Sequence, residues 1–185
     1  MLKRGLGYGR KLFAAMLIAT GSIMSAPTGS QVAWAAGAGC ALIPDDRDPS
    51  EKILQCGQAL TVRPAHGTRY RPVFRAGQPL PTAIQLNDGA LLIEFHPSGQ
   101  VNEFQILTPL AIAAVRGTRW AVEVAPARTS TLVLDGSVAV TNRRLNQYVV
   151  LTMGQGVDIT PGDTSMVQKQ WKEARVRALL SRFGE

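Results

Sequence analysis

The sequence predicts a mainly β fold, either a single β-sandwich or a β-roll or solenoid-like stack, with an amphipathic helix at the C-terminus. Short segments in which apolar and polar residues alternate recur about every ten residues from residue 60 onward. Turn sequences rich in Gly, Pro and Asp separate these segments, and no helical periodicity lies between them. Only the last stretch of the 185-residue chain has the spacing of a helix.

We predict one β domain over residues 60–165, a length that suffices for a hydrophobic core. Pro72 is expected to confine its own strand to a sheet edge, because proline has no backbone N–H to donate. On alternation, Trp120, Val122 and Val124 share one face. The predicted strands are 60–63, 69–74, 83–86, 90–95, 103–108, 118–124, 129–134, 137–141, 148–151 and 156–160.

Two sites carry the sequence of a tight hairpin turn. Asn87-Asp88-Gly89 separates the strands 83–86 and 90–95, and Asp135-Gly136 separates 129–134 and 137–141. Both sequences favour two-residue turns between paired antiparallel strands. We therefore predict a β-hairpin at each.

The N-terminal residues 1–35 have the three parts of a signal peptide. Four basic residues precede an apolar stretch at 12–19, and Ala33-Trp34-Ala35 has the pattern of a cleavage site. A membrane anchor is the alternative, but a spanning helix needs roughly 20 predominantly apolar residues. Gly, Ser and Pro interrupt this run from residue 21 onward. We expect a cleaved signal and a periplasmic or secreted protein.

Cleavage changes the charge of the chain. The signal contains four of the 20 Lys and Arg residues and none of the 13 acidic residues, so the formal net charge falls from +7 to +3. A nucleic-acid-binding domain is usually much more basic. We therefore expect no nucleic-acid partner.

The chain has two cysteines, Cys40 and Cys56, within a segment at 36–59 that we predict to be irregular. In an oxidising compartment a pair of cysteines is most simply a disulfide. Lipidation of Cys40 is an alternative, although the aliphatic residue usual three positions earlier is missing. Metal ligation is another, although only His66 and His96 would complete four ligands.

Residues 166–185 are predicted to form the C-terminal helix. Val176, Leu179, Leu180 and Phe183 recur at helical spacing, and Gly184 suits a C-terminal cap. We expect this apolar face to pack on the β domain. Contact of its basic residues with an anionic membrane is the alternative.

No motif predicts an enzyme, a cofactor or a metal centre. Zinc-protease, phosphate-loop and serine-hydrolase sequences are missing, and the two histidines lie 30 positions apart with no acid at ligand spacing. A hydrolase acting on an envelope polymer would need acidic residues brought together in the fold. Its candidates are Glu94, Glu123 and Asp158 beside His96.

The stretch 108–124, TPLAIAAVRGTRWAVEV, together with TLVLDGSVAV at 131–140, resembles the FecR domain. The resemblance covers about residues 85–160. In physical terms we expect Val115 and Trp120 to be buried, Gly117 to allow a tight turn, and Arg116 to cap carbonyls or pair with a strand acid. The motif residues are Thr108, Pro109, Val115, Arg116, Gly117, Thr118, Trp120, Gly136 and Gly154.

The resemblance implies a periplasmic module of a membrane-spanning regulator that relays the state of an outer-membrane iron transporter to a cytoplasmic sigma factor. Only about 11 residues precede the apolar run, so we expect no cytoplasmic anti-sigma segment here. The first hypothesis is therefore an exported, non-enzymatic binding or sensing module with a protein or envelope polymer as partner, and the resemblance implies a link to extracytoplasmic signalling. The second is a structural adaptor associated with the cell wall or a polysaccharide.

Overall fold

The computed structural model describes residues 39–97 and 102–185. The predicted signal peptide, 1–35, lies outside these residues. The described residues form thirteen strands, one α-helix and one short 3-10 helix. The elements are β1 (Ala41–Pro44), β2 (Lys52–Cys56), β3 (Leu60–Pro64), β4 (Arg69–Val73), β5 (Ala83–Phe95), β6 (Phe104–Leu107), β7 (Ala111–Val115), β8 (Thr118–Ala125), β9 (Arg128–Asp135), β10 (Ser137–Asn142), β11 (Gln147–Thr152), β12 (Gln155–Ile159), β13 (Lys169–Gln170), α1 (Glu173–Leu180) and the 3-10 helix Ser181–Phe183.

The strands form one curled sheet that makes a half-barrel, which confirms the predicted mainly β class. Its main path runs β11-β10-β7-β6-β5-β8-β9-β12-β13, while β1, β2 and β3 pair in series up to β5, and β4 also pairs with β5. We call β1–β3, the end of β5, β8, β9, β12 and β13 layer 1. The start of β5 with β4, β6, β7, β10 and β11 is layer 2.

The hairpin predicted at 87–89 is wrong, because β5 continues through this sequence from layer 2 into layer 1. Asn87 is the extra residue of a bulge opposite β4, and Gly89 has φ +90°. A Cβ atom at Gly89 would lie 2.5 Å from the Thr68 hydroxyl oxygen. That hydroxyl accepts the N–H of Ala90 and donates to its carbonyl. Both halves of β5 have their own partner strands, which keep the chain extended.

The hairpin predicted at Asp135-Gly136 is wrong for a related reason. β9 pairs with β8 and β12, whereas β10 pairs with β7 and β11. Gly136 therefore carries the chain from layer 1 to layer 2, and Gly117 carries it in the other direction between β7 and β8. The two crossings touch, since a Cβ atom at Gly136 would lie 2.6 Å from the Gly117 carbonyl oxygen. The Thr118 hydroxyl joins them by donating to the Ser137 carbonyl at 2.9 Å.

The main core lies between the two layers. Trp120 is fully buried, and its ring meets Phe104 edge-on at 6.2 Å, while Phe104 stacks on Phe95 at 5.5 Å. β7 contributes Ala111 and Ala113 to this core. That strand was not among those predicted, since its alanine-rich sequence has weak β propensity.

Residues 36–59, predicted to be irregular, contain the hairpin of β1 and β2 among those described. The disulfide between Cys40 and Cys56 joins the two strands and is confirmed. β2 in turn pairs with β3, which adds the hairpin to layer 1. The tertiary pairing orders a segment whose turn-rich sequence showed little strand alternation.

The C-terminal helix is shorter than predicted. α1 and the 3-10 helix span residues 173–183, Gly184 adopts the left-handed conformation with φ +74°, and residues 169–170 form β13 instead. Within the described parts of the chain, no helix is long and apolar enough to cross a membrane. As expected, the helix packs on its own domain, against the outer face of layer 1. The contacting cluster comprises Ala65, Ala90, Leu92, Ala121, Leu132, Trp171, Leu179 and Phe183.

Ion pairs hold both ends of this segment. Arg175 makes two hydrogen bonds to the carboxylate of Asp158, at 2.8 and 2.5 Å, and stacks 3.5 Å from the Trp171 ring centroid. At the other end, Glu185 accepts hydrogen bonds from Arg47 and Arg119 at 2.5 and 2.6 Å. Desolvation alone would raise the pKa of Glu185, but Arg119 and Arg47 outweigh it and lower that pKa.

Gly136→Ala tests the crossing between the layers. The side chain would force a left-handed residue and press on the Gly117 carbonyl, so we expect a loss of at least about 2 kcal/mol of unfolding free energy. Gly162→Ala is the control, because no atom lies within 4 Å of its Cβ position. Urea unfolding measures both variants. Equal effects would show that the crossing imposes no such constraint.

Candidate functional site

The nine residues of the family motif lie at three structural positions. Thr108 and Pro109 form the turn before β7. Val115 to Thr118, Gly136 and Gly154 lie where the chain passes between layers, and Trp120 lies in the core. Most of the motif therefore maintains the fold, and the turn at 108–110 is its part nearest to a cavity.

The turn before β7 is closed by the side chain of Thr108. Its hydroxyl accepts the N–H of Ala111 at 2.8 Å and lies 3.0 Å from the carbonyl oxygen of the same residue. The Thr129 hydroxyl lies 3.2 Å away, and Arg143 donates to the Thr108 carbonyl at 3.0 Å. Pro109 projects from this turn and is exposed. The first two motif residues are thus tied to the turn between β10 and β11.

Arg116 is exposed beside the crossing at Gly117. Among residues 39–97 and 102–185, it makes no side-chain hydrogen bond or ion pair that would cap a carbonyl or a strand acid. A structural bond from Arg116 to a carbonyl or a strand acid therefore stays a prediction.

The fold does not assemble the candidate hydrolase residues. Glu94 pairs with Arg119, Glu123 with Arg128 and Arg182, and Asp158 with Arg175. His96 is exposed at the end of β5, and His66 contacts Glu51 at 2.6 Å in a different turn. These acids are neutralised one by one by arginines, so they do not form the carboxylate pair that glycoside hydrolysis requires.

In the described part of the chain, no group of three or more His, Cys, Asp or Glu residues is arranged to hold a metal ion. Cys40 and Cys56 are consumed by the disulfide.

Strand β11 presents an apolar outer surface. Tyr148 and Val150 are 71% and 48% exposed, and Met153, just beyond the strand, is 64% exposed. Leu151 of the same strand points into the core. The exposed side chains therefore add nothing to the core, and their place at a sheet edge is typical of a docking strand.

A cavity of about 260 Å³ lies where three turns meet, beside the start of β11. Pro109 and Leu110 belong to the first turn, Thr160 and Pro161 to the third. The middle turn contributes Asn142, Arg143 and Arg144. Of these residues only Pro109 belongs to the family motif, because turns distant in the sequence carry no shared periodicity.

Residues 59–139 match the family model described as "FecR protein", which confirms the resemblance. The match begins before the first residue of the predicted core at 85–160 and ends before the last residue of that core. No curated protein matches the chain.

Two crystal structures have a similar fold, at 2.50 and 1.65 Å resolution, of a protein described as "a putative anti-sigma factor from Parabacteroides distasonis ATCC 8503". The TM-scores are 0.54 and 0.53, with 14% identity in both cases. The matches cover 78% of this chain but only 61% of those chains, less than two thirds of their length. The family match supports a signalling or sensing role, and the two crystal structures show that the fold is shared.

The ion pair of Asp158 predicts a pH dependence of stability. Burial raises its pKa, but hydrogen bonds from Arg175 and Ser130 outweigh burial and hold the pKa below its usual value. The stabilisation is therefore complete above about pH 5 and is lost as the pH falls below about 4, through the folded-state pKa. Asp158→Asn should flatten this part of the stability profile in urea unfolding.

Asp135→Asn is the matched control, because Asp135 is exposed and makes no ion pair within the described residues. The same acid-dependent loss in wild type and the Asp158 variant would contradict the assignment.

Proposed function

With a FecR-like domain at residues 59–139, we propose that this chain is an exported, non-enzymatic binding module that senses or recruits a protein partner at the envelope. The partner places an extended segment along β11, adding a strand to layer 2. The observation that carries this proposal is an unguarded sheet edge with apolar residues on its outer surface. The family match and the fold support the signalling context.

The edges of the sheet differ in their protection. β4 is guarded by Pro72 and by the charged residues Arg69 and Arg71, β1 is four residues long and ends in a proline, and β13 has two residues. β11 has six residues, contains neither a charge nor a proline, and pairs only with β10 among the described strands. Proteins commonly guard their edge strands against unwanted pairing. The unguarded edge at β11 is therefore suited to pairing with a strand of a partner protein.

Charge indicates the chemistry of the partner segment. Residues 137–157, which include β10 and β11, contain Arg143 and Arg144 and no acidic residue. Complementary charge steers association and excludes wrong partners. An acidic segment with apolar residues at alternate positions fits the arginines and the Tyr148–Val150 surface together.

The absence of enzymatic activity is supported by the pairing of the candidate acids. Glu94, Glu123 and Asp158 are each bound by arginine, and His96 lies apart from them. A mutation of these residues would then affect stability rather than any turnover.

Export is tested on the protein made in a bacterial host. We expect intact-mass measurement to show a chain beginning after Ala35, because small residues at 33 and 35 fit signal peptidase. Without reductant its mass should be two hydrogens below that of the reduced chain, as the Cys40–Cys56 bond requires. A chain retaining residues 1–35 would contradict the proposed cleavage.

Site-specific photocrosslinking tests the docking strand. A photoreactive residue at Tyr148 should yield a defined crosslinked protein, and the added change Val150→Asp should abolish it by placing a charge on the apolar surface. Folding should be unaffected, because both side chains are exposed. Circular dichroism and the unfolding midpoint verify this.

The control places the same photoreactive residue at Val167, which is 56% exposed outside β11. Equal crosslinking at both positions, or crosslinking that survives Val150→Asp, would refute docking at this strand. Attachment to purified cell-wall sacculi instead of a protein would favour the structural-adaptor hypothesis.

A further inference from the structure

We infer that the cavity between the three turns binds a carboxylate, supplied by an acidic side chain of the partner segment that lies along β11. The inference rests on the proposed function for the identity of the partner, but the carboxylate site itself is defined by its own residues. Its three components are a buried donor, two guanidinium groups and apolar walls.

The buried donor is the side-chain amide of Asn142, which is 1% exposed. Its Oδ1 accepts the backbone N–H groups of Arg144 and Leu145 at 2.9 and 3.0 Å. These two bonds fix the orientation of the side-chain amide, so the atom that these bonds do not use is the donor Nδ2. Nδ2 is buried and has no hydrogen-bond partner among the described residues. An unsatisfied buried donor destabilises the folded state, and an acceptor from a ligand would remove that cost.

The two arginines bring positive charge to the same cavity. Arg143 uses Nη1 to bind the Thr108 carbonyl, and Arg144 uses Nη2 to bind the Asp163 carbonyl. Each guanidinium has five N–H donors, so donors remain on both for a ligand. Bonds between guanidinium groups and carboxylates are among the stronger hydrogen bonds in proteins.

One acidic residue, Asp163, lies close to these arginines, and its carboxylate is already hydrogen-bonded within its own turn. The carboxylate of Asp163 accepts the backbone N–H of Thr160 at 2.7 Å and its hydroxyl at 2.8 Å. These bonds lower the pKa of Asp163, so it stays ionised. Two arginines against one aspartate leave a net positive charge at the cavity.

The walls and the size of the cavity narrow the ligand. Pro109, Leu110, Ile159 and Pro161 supply apolar surface that suits methylene groups. The volume of about 260 Å³ is below the roughly 300–1,000 Å³ of sites for drug-sized ligands. A single acidic side chain fits this combination better than a sugar chain would. Because residues 143–146 connect β10 to β11, the cavity lies where a strand added to β11 would begin or end.

The experiment uses nitrogen-15 NMR of the whole mature chain with small probes. N-acetyl-glutamate N-methylamide should shift the Asn142 side-chain amide resonances saturably, whereas the neutral glutamine analogue should not. Acetyl-alanine, with a terminal carboxylate, distinguishes a chain end from a side chain, and inorganic phosphate distinguishes a carboxylate from any anion. Equal binding of the glutamine analogue or of phosphate would show that the site is not specific for a carboxylate and would overturn the assignment. Tighter binding of acetyl-alanine than of the glutamate probe would show that the site takes a chain-end carboxylate and not an acidic side chain.

Asn142→Asp is the decisive variant. It keeps the Oδ1 that accepts the Arg144 and Leu145 amides but replaces the donor with a negative oxygen. We expect glutamate-probe affinity, followed through the backbone amide resonances of Arg144 and Leu145, to fall at least about tenfold, as loss of a charge-assisted bond implies. Arg116→Ala removes one unit of positive charge away from the cavity, so it should change affinity less than about twofold.

Unchanged affinity in Asn142→Asp would refute the site. Val150→Asp separates the two proposals, because it should abolish partner crosslinking and leave glutamate-probe binding intact. If probe binding persists while crosslinking at β11 is never found, the carboxylate site stands and the proposed function fails. If crosslinking is found and the probe never binds, the proposed function stands and this inference fails.

Discussion

The structure depends on one backbone constraint, the passage of the chain between two layers at residues in the left-handed conformation. Gly117 and Gly136 make two such passages in direct contact, and Gly136 has no room for a side chain because its Cβ atom would lie 2.6 Å from the Gly117 carbonyl oxygen. The Thr118 hydroxyl joins them. Because the chain changes layer here, β8 and β9 can bury Trp120 and Val133 against β10 and β7. The most specific part of the family motif is thus the sequence requirement of a corner.

The C-terminal segment decides which surfaces remain available for a partner. Trp171, Leu179 and Phe183 cover the outer face of layer 1, and ion pairs at Asp158 and Glu185 hold the segment at both ends. The outer surface of β11, on layer 2, has no such cover among the described residues. Structural closure and proposed binding therefore use opposite layers, so that a partner can dock without displacing the helix.

The candidate site could be predicted only in part. The Thr108-Pro109 motif marks one turn of the cavity, but nothing in the sequence relates it to Asn142 or Thr160, which are far away along the chain. The lack of a hydrogen-bond partner at Asn142 Nδ2 is likewise a property of tertiary packing. In the sequence, an asparagine in a turn is sufficiently explained by the backbone N–H groups that its Oδ1 accepts. The candidate acids failed for the same reason: arginines from other elements pair with each of them.

The sequence by itself determined the class of fold, the positions of most strands, the buried role of Trp120 and the pairing of Cys40 with Cys56. These features follow from local alternation, composition and the scarcity of cysteine. Only the tertiary structure decided which strands pair. The Asp-Gly sequences at 88–89 and 135–136 specify a local backbone conformation, which serves a hairpin and a layer crossing equally well. The choice between them depends on hydrogen bonds and apolar contacts with strands distant in the sequence, and no local pattern encodes those.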